Sequence, residues 1–220
     1  MEDKTDKTLQ GIAFIGGDCP NPEKCAILAK NAAIIVAADS GLIIAEKAGV
    51  KVDLIVGDMD SIDDIKRLEK YSKKQILRYP RDKDYTDTEL ALNLLYEKNC
   101  NETILIGGGG GRTDHLLAIY TLFERNRSPD HWHTENEDIY CIKDGKTISL
   151  TTPKESIISV FPLGETPWNA KSTGLKWELN DIKWKRGFFG ISNIAVNGTF
   201  TVTSNSGRFL LIVQITGVNS

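Results

Sequence analysis

Long apolar runs are missing from this 220-residue chain. None approaches the ~20 residues that a bilayer-crossing helix needs, so no membrane span is expected. A basic excess is missing too: 27 Lys and Arg stand against 30 Asp and Glu, a net charge of −3. Without a basic footprint, no nucleic-acid partner is expected. Cysteine is scarce, and Cys19, Cys25, Cys100 and Cys141 form no C-x-x-C pair. Zinc and redox-motif chemistry therefore have little support, and reduced, mostly buried thiols are expected. Of the 3 histidines, His131 and His133 flank Trp132 in a stretch holding Pro129 and Asn136. They stand close enough to share a metal, but a solvated loop is the simpler expectation. The polar start, Met1 to Thr8, has no apolar stretch of the secretory type, so no signal is expected and the location expected is cytoplasmic. No repeat of solenoid period and no low-complexity tract occurs. What remains is an ordinary globular composition, 40% hydrophobic and 26% charged, with length for one large domain or two small ones.

Up to Arg125, apolar runs alternate with helical patterns. Ile12–Ile15 precedes a helix over 22–31, and Ile34–Ala38 precedes one through Leu42–Ala45. Leu54–Val56 is followed by a helical pattern over Ile62–Tyr71, Gln75–Tyr79 by one over Thr86–Lys98, and Thr103–Ile106 by one over Thr113–Arg125. Such alternation predicts βαβ units and a parallel sheet, and continuous apolar strands predict helices on both faces. Asn126–Asp138 is polar and predicts a linker. Beyond it, short β-type runs at 139–142, 147–150, 157–161, 199–203 and 209–215 are punctuated by Asp144-Gly145, Asn197-Gly198 and Ser206-Gly207. Asn-Gly between two such runs predicts a hairpin. The fold class expected is therefore α/β, a parallel-sheet domain over 1–126, followed by a small all-β sandwich over 137–220.

In open parallel sheets, ligands bind at the carboxyl ends of the strands. The polar clusters of this chain follow strand after strand: Asp39-Ser40-Gly41, Gly57 to Ser61, Arg81 to Asp87, and Gly107–Gly111 with Arg112-Thr113-Asp114-His115. Gly57-Asp58-Met59-Asp60-Ser61 is the sharpest, because residues two apart in an extended chain point to one side. Two carboxylates about 4 Å apart repel by roughly 4 kcal/mol at a surface-like dielectric. A hard divalent cation such as Mg²⁺, held by one or two carboxylates and by phosphate oxygens, removes that penalty.

Capping accounts for some of these residues. Asp39 or Ser40 can cap a helix, as can Ser61 with Asp64. Thr86 and Glu89 fit a capping box over the apolar stripe Leu90, Ala91, Leu94 and Leu95, so Thr86 suits capping and ligand binding alike while Glu89 is structural. Asp82, Asp84 and Asp87 in one turn exceed what capping needs. Five consecutive glycines cost conformational entropy, and close approach to an anion at a helix N-terminus would justify them. The run does not complete G-x-G-x-x-G, since Arg112 takes the final glycine position. Gly145-Lys146-Thr147 is no P-loop, since Tyr140 stands where the first glycine belongs and a strand follows.

The ordered series Ala38-Asp39-Ser40-Gly41, Gly57 to Ser61, Lys83-Asp84-Tyr85-Thr86-Asp87-Thr88-Glu89 and Gly110 to His115 resembles the thiamine pyrophosphokinase family. Ser172-Thr173-Gly174-Leu175-Lys176-Trp177 and Ser192-Asn193 resemble that family's C-terminal signature, so the likeness spans nearly the whole chain. The resemblance implies an ATP- and Mg²⁺-binding catalytic domain, a thiamine-binding sandwich, and a homodimer with thiamine between subunits. It implies that the thiamine hydroxyl attacks the β-phosphorus of ATP, releasing AMP. On this resemblance, Asp39, Asp58, Asp60 and Asp87 hold Mg²⁺ and phosphates, and Asp84 or Asp87 orients or deprotonates the hydroxyl. Gly109, Gly110, Gly111, Arg112, Asp114 and His115 fix the nucleotide, Thr86 bonds a phosphate, and Ser192 and Asn193 bind the aminopyrimidine. One departure stands out: some members carry a stacking tryptophan in the last strand, where this chain has Phe209-Leu210-Leu211, so stacking comes from Trp177 or Trp184 or is weaker, with core packing the default role of all four tryptophans. A non-catalytic thiamine diphosphate or nucleotide sensor and another Mg²⁺-dependent phosphotransferase are the competing functions.

Overall fold

The structure is a computed structural model that describes residues 8–62 and 65–215. The cap suggested for Asp64 lies outside the described residues. The described chain forms two compact units, one running to Ile119 and including His133–Glu135, the other comprising Tyr120–Trp132 and the chain from Asn136.

The first unit carries strands β1 (Gln10–Ile15), β2 (Ile34–Ala38), β3 (Leu54–Gly57), β4 (Ile76–Arg78) and β5 (Glu102–Gly107). They are parallel in the order β5-β1-β2-β3-β4. The order reverses between β1 and β5, the kind of switch point at which open α/β sheets bind ligands. Helices α1 (Pro22–Ala29), α2 (Gly41–Lys47) and α3 (Asp87–Glu97) follow β1, β2 and β4, and α4 (Thr113–Leu122) follows β5. Alternation along each strand divides the core. Ile12, Phe14, Ile35, Ala37, Ile55, Ile104 and Ile106 bury with Cys25 and Ala29 of α1 and Leu42 and Ala45 of α2. On the other face Gly11 lies against Leu95 of α3. Asn21 caps α1 by accepting from the Lys24 amide at 2.9 Å, with Pro22 in the first helical turn, where its missing N–H costs nothing.

Two expectations need correction here. The helix anticipated over 62–71 is a six-residue 3-10 turn, Ile65–Lys70. Lys66, Arg67, Glu69 and Lys70 crowd it with charge, and among its described side chains Leu68, at 5% exposure, is the buried apolar one, too little for a 3.6-period face. The solvated linker over 126–138 instead contains β6 (His131–His133), with Trp132, His133 and Thr134 buried. Trp132 stacks on Phe123 at 6.4 Å, so its apolar ring, not the surrounding polar residues, decides the segment's fate.

The second unit is antiparallel, with strands β7 (Glu137–Ile142), β8 (Thr147–Thr151), β9 (Ile157–Leu163), β10 (Asn169–Thr173), β11 (Gly190–Ile194), β12 (Thr199–Ser206) and β13 (Arg208–Gln214). One sheet runs β11-β9-β13-β7 and the other β10-β12-β8. Ile142, Ile158, Val160, Phe209, Leu211 and Val213 of the first share one core with Ala170, Phe200 and Val202 of the second, a sandwich. Consecutive strands from β7 to β13 alternate between the sheets. The hairpin expected at Asn197-Gly198 is therefore absent: the turn carries the chain from β11 in one sheet to β12 in the other. Gly198 supplies the φ of +77° that the turn needs, which a sheet-crossing turn and a hairpin require alike.

Candidate active site

At the carboxyl edge of the first unit, Asp87 and Asp58 both lie within electrostatic reach of Asp39. Asp39 is the residue after β2 and adopts φ +44°, which turns its side chain across the end of β3. Its Oδ1 accepts the Met59 amide at 3.0 Å. The carboxylate lies so close over Gly57 that a Cβ there would stand 1.9 Å from Oδ1, which explains the glycine at that position. Burial pushes the Asp39 carboxyl up to about 7, opposed by the Met59 amide and reinforced by the negative charges of Asp87 and Asp58. The side-chain contact with Asp87 adds to the rise, so Asp39 holds its proton more readily than an ordinary carboxyl. Asp87 opens α3, and its Oδ1 lies 3.1 Å from Nζ of Lys83, with both side chains mostly buried. That oxygen has no hydrogen bond of good geometry among the described residues.

Asp60 is not part of this group. Met59 adopts φ +69° and buries its side chain, which breaks the extended alternation that would have paired Asp58 with Asp60. Asp58 instead accepts the Asp60 amide at 3.0 Å, while the Asp60 carboxylate faces solvent beside Arg81 at 3.8 Å. Asp84 is exposed in the turn before α3. Thr86 forms the anticipated capping box: its Oγ1 accepts the Glu89 amide at 3.3 Å, and Glu89 accepts the Thr86 amide at 2.8 Å.

The glycine loop has a backbone explanation of its own. Gly108 and Gly109 donate to the carbonyls of Gly16 and Asp18 at 3.0 Å each, and Asp18 returns a bond to Gly109 at 2.8 Å. These two amides are therefore committed, and Gly110 and Gly111 are the exposed remainder. Sequence reasoning assigned nothing to Gly16-Gly17-Asp18, although a glycine pair and an acid after β1 are the same signal as after β3 and β5. Arg112 and Asp114 are exposed and paired through two contacts, Nε to Oδ1 at 3.1 Å and Nη2 to Oδ2 at 2.5 Å. That hydrogen bonding holds Asp114 below the usual carboxylate range and Arg112 above its own. His115 is exposed in the first turn of α4. Lys83 was given no role from sequence, yet its spacing of four from Asp87 marked the pair.

In the second unit Ser192 is exposed with φ +57°, and Asn193 is buried at 5% exposure. The Asn193 side chain clamps the backbone of Trp177, accepting its amide at 3.1 Å and donating to its carbonyl at 2.5 Å. Glu178, which sequence reasoning also missed, closes the same turn by accepting the Gly174 amide at 2.9 Å and the Ser172 hydroxyl. These bonds present the Trp177 ring at 57% exposure, with Lys176 Nζ 4.5 Å from its centroid. Trp184 packs edge-on against Phe209 at 4.9 Å, and Trp132 and Trp168 are buried, so Trp177 is the exposed tryptophan.

No three acidic, histidine or cysteine side chains are arranged to cage a metal among the described residues. Mg²⁺ does not require such a cage, since it takes one or two carboxylates and completes its octahedron with water and phosphate. Asp39 with Asp87 and Asp58 close enough to raise it is a hard oxygen donor set with unmet demand for positive charge, and it fits that ion.

Comparison with known proteins covers both units. A family model described as thiamin pyrophosphokinase, catalytic domain, matches residues 25–131, and one described as thiamin pyrophosphokinase, vitamin B1 binding domain, matches residues 145–209. The chain is similar to the thiamine pyrophosphokinase of Bacillus subtilis (strain 168), 28% identical over 189 residues that cover 80% of this chain and 85% of that one. It is 24% identical to thiamine pyrophosphokinase 2 of Arabidopsis thaliana over 185 residues, covering 71% of this chain and 63% of that one. The crystal structure of the Bacillus subtilis enzyme shares the fold with a TM-score of 0.78 at 22% identity, covering 95% of this chain and 100% of that one. Yeast thiamin pyrophosphokinase gives a TM-score of 0.68 at 18% identity, covering 96% and 88%.

Proposed function

This chain belongs to the thiamine pyrophosphokinase family, and on that premise we propose that it transfers the pyrophosphoryl group of ATP to the hydroxyethyl oxygen of thiamine. The products are thiamine diphosphate and AMP. The observation that carries the proposal to this chain's own residues is the meeting of Asp39, Asp58 and Asp87 at the ends of β2 and β3 and the start of α3.

The catalytic part corresponds to residues 1–126 and the thiamine-binding part to 137–220. Asp39, Asp58 and Asp87, with Asp60 at their margin, would hold Mg²⁺, which supplies charge neutralisation for the phosphates. Transfer of this kind depends on positioning and on charge compensation. Asp84 or Asp87 orients the thiamine hydroxyl and takes its proton, and Lys83 beside Asp87 keeps compensating charge at hand. Arg112 is a planar multi-donor cation whose exposed pairing with Asp114 exchanges readily for phosphate oxygens. Thr86, Asp114, His115 and the exposed Gly110 and Gly111, next to Gly109, frame the nucleotide. Ser192 and Asn193 serve the aminopyrimidine, Asn193 through its hold on Trp177, whose exposed ring offers a stacking face.

We extend the proposal to a cytoplasmic homodimer with thiamine held at the subunit interface. The exposed Trp177, Phe188, Phe189 and Ile191 around the edge strand β11 support a surface that a second subunit covers. No described helix is long and apolar enough to cross a membrane.

Incubation with ATP, Mg²⁺ and thiamine, with nucleotides and thiamine phosphates resolved, tests the reaction. Thiamine diphosphate forming in step with AMP is the expected result. ADP with thiamine monophosphate would mean γ-transfer, and binding of both substrates without turnover would favour a sensor.

A further inference from the structure

Away from the acid edge, α2 ends beside a basic hollow. The helix starts next to Asp39 and runs back along the sheet for 7 residues, roughly 10 Å at 1.5 Å per residue, which separates its last turn from the carboxylates. There Lys47, Gly49, Val50 and Lys51 face Arg67 and Lys70 of the 3-10 turn across a cavity of about 510 Å³, with Glu46 between them. In a chain of net charge −3, four cations meet one carboxylate among the described residues that line it.

Glu46 is already committed. It receives Arg67 Nη1 at 2.5 Å, Lys70 Nζ at 3.7 Å and the Tyr71 hydroxyl at 3.4 Å. Lys47 and Lys51 are exposed and have no acidic partner among the described residues. The Arg67 guanidinium is incompletely used, since its Nε is buried without a hydrogen-bond acceptor among the described residues. The carbonyls at the end of α2, which would repel an anion, are taken up in the helix-ending turn. Val50 donates to Ala45 at 2.9 Å and Gly49 to Glu46 at 3.0 Å, with Gly49 at φ +66°.

We propose that this hollow is an anion site separate from the acid edge, for a compact ligand bearing two or more phosphate groups. Lysines supply point charges and Arg67 a planar fork, the pairing that recognises phosphate oxygens. The volume falls in the range of small-ligand sites, and a concave hollow on an acidic chain suits a compact anion better than a nucleic-acid backbone. Nothing in the proposed reaction uses these residues.

Calorimetric titration of the full-length protein with inorganic triphosphate in metal-free buffer tests the site. Lys51→Ala/Lys70→Ala is expected to weaken binding at least tenfold while the thermal midpoint is retained and turnover stays within twofold, because both side chains are exposed. Arg112→Ala is expected to retain the tight binding. Equal affinity in the double variant, loss only in Arg112→Ala, or no triphosphate binding by the unaltered protein would each overturn the proposal. ADP in place of triphosphate separates the sources: comparable affinity identifies a nucleotide, and triphosphate binding alone identifies free polyphosphate.

Discussion

The two units treat their polar groups at turns in opposite ways. In the second unit, Asn193 is buried and uses both ends of its amide on the Trp177 backbone, with its Oδ1 also accepting the Ile194 amide at 3.0 Å. In the first unit, Asp39 accepts the Met59 amide and is raised to about 7 by burial and by the neighbouring carboxylates of Asp87 and Asp58. A satisfied buried amide rigidifies the chain around it, whereas a crowded carboxylate group stores electrostatic demand that a ligand can meet. The contrast separates a turn whose buried amide is fully bonded, at Asn193, from an acid edge whose carboxylates crowd one another.

Asp58→Asn tests the acid edge most severely. Turnover is expected to fall by at least a thousandfold, about 4 kcal/mol of transition-state stabilisation, with the thermal midpoint retained. If that variant unfolds, Asp58 is structural and the comparison collapses. Asn193→Ala is expected to do the reverse, lowering stability in denaturant titrations by about 2–3 kcal/mol as the Trp177 amide and carbonyl lose their partner. Thiamine KM should rise in the same variant because Trp177 is no longer held. Trp177→Ala separates the two effects: it is expected to raise thiamine KM roughly two- to tenfold, the range of an aromatic stacking contact, with stability nearly unchanged because the ring is exposed.

Asp39→Asn probes the raised Asp39 carboxyl through pH. A carboxyl raised from 3.8 to about 7 in the folded state holds its proton where the unfolded chain has lost it, so stability falls as pH rises from about 4 to 7 and is level above that. The full shift corresponds to about 4 kcal/mol, but this carboxyl keeps substantial contact with water, which reduces the expected slope to about 1–2 kcal/mol. Denaturant titrations at pH 5 and pH 8 should show that difference in the unaltered protein and not in Asp39→Asn. Thr86→Ala removes one half of the capping box and is expected to cost about 1 kcal/mol. A loss of ATP affinity beyond that cost would show that Thr86 serves ligand as well as helix.

Much of the first unit was legible because its information is local. Val36, Ile55, Leu105 and their neighbours form continuous apolar runs, Thr86 and Glu89 stand three apart, and acids or glycines follow each strand. The second unit resisted where its strands carry little apolar signal: β10 (Asn169–Thr173) buries Ala170 and Ser172, and β11 (Gly190–Ile194) exposes Ile191 and buries Asn193. The 3-10 turn at Ile65–Lys70 and the strand His131–His133 were misjudged because charge and polarity in the neighbourhood masked single apolar anchors.

By itself, the order of residues determined the α/β alternation, the caps and the family likeness, since each depends on spacing along a few turns of chain. Tertiary structure alone decided which carboxylates meet. A φ of +69° at Met59 sends Asp60 to solvent, while a φ of +44° at Asp39 and the bare Cα of Gly57 bring Asp39 toward Asp58 and Asp87. It also decided that Gly109 bonds Asp18 and that the turns of the second unit cross between sheets. These outcomes join residues tens of positions apart, where packing rather than local periodicity sets the backbone angles and the distances between charges.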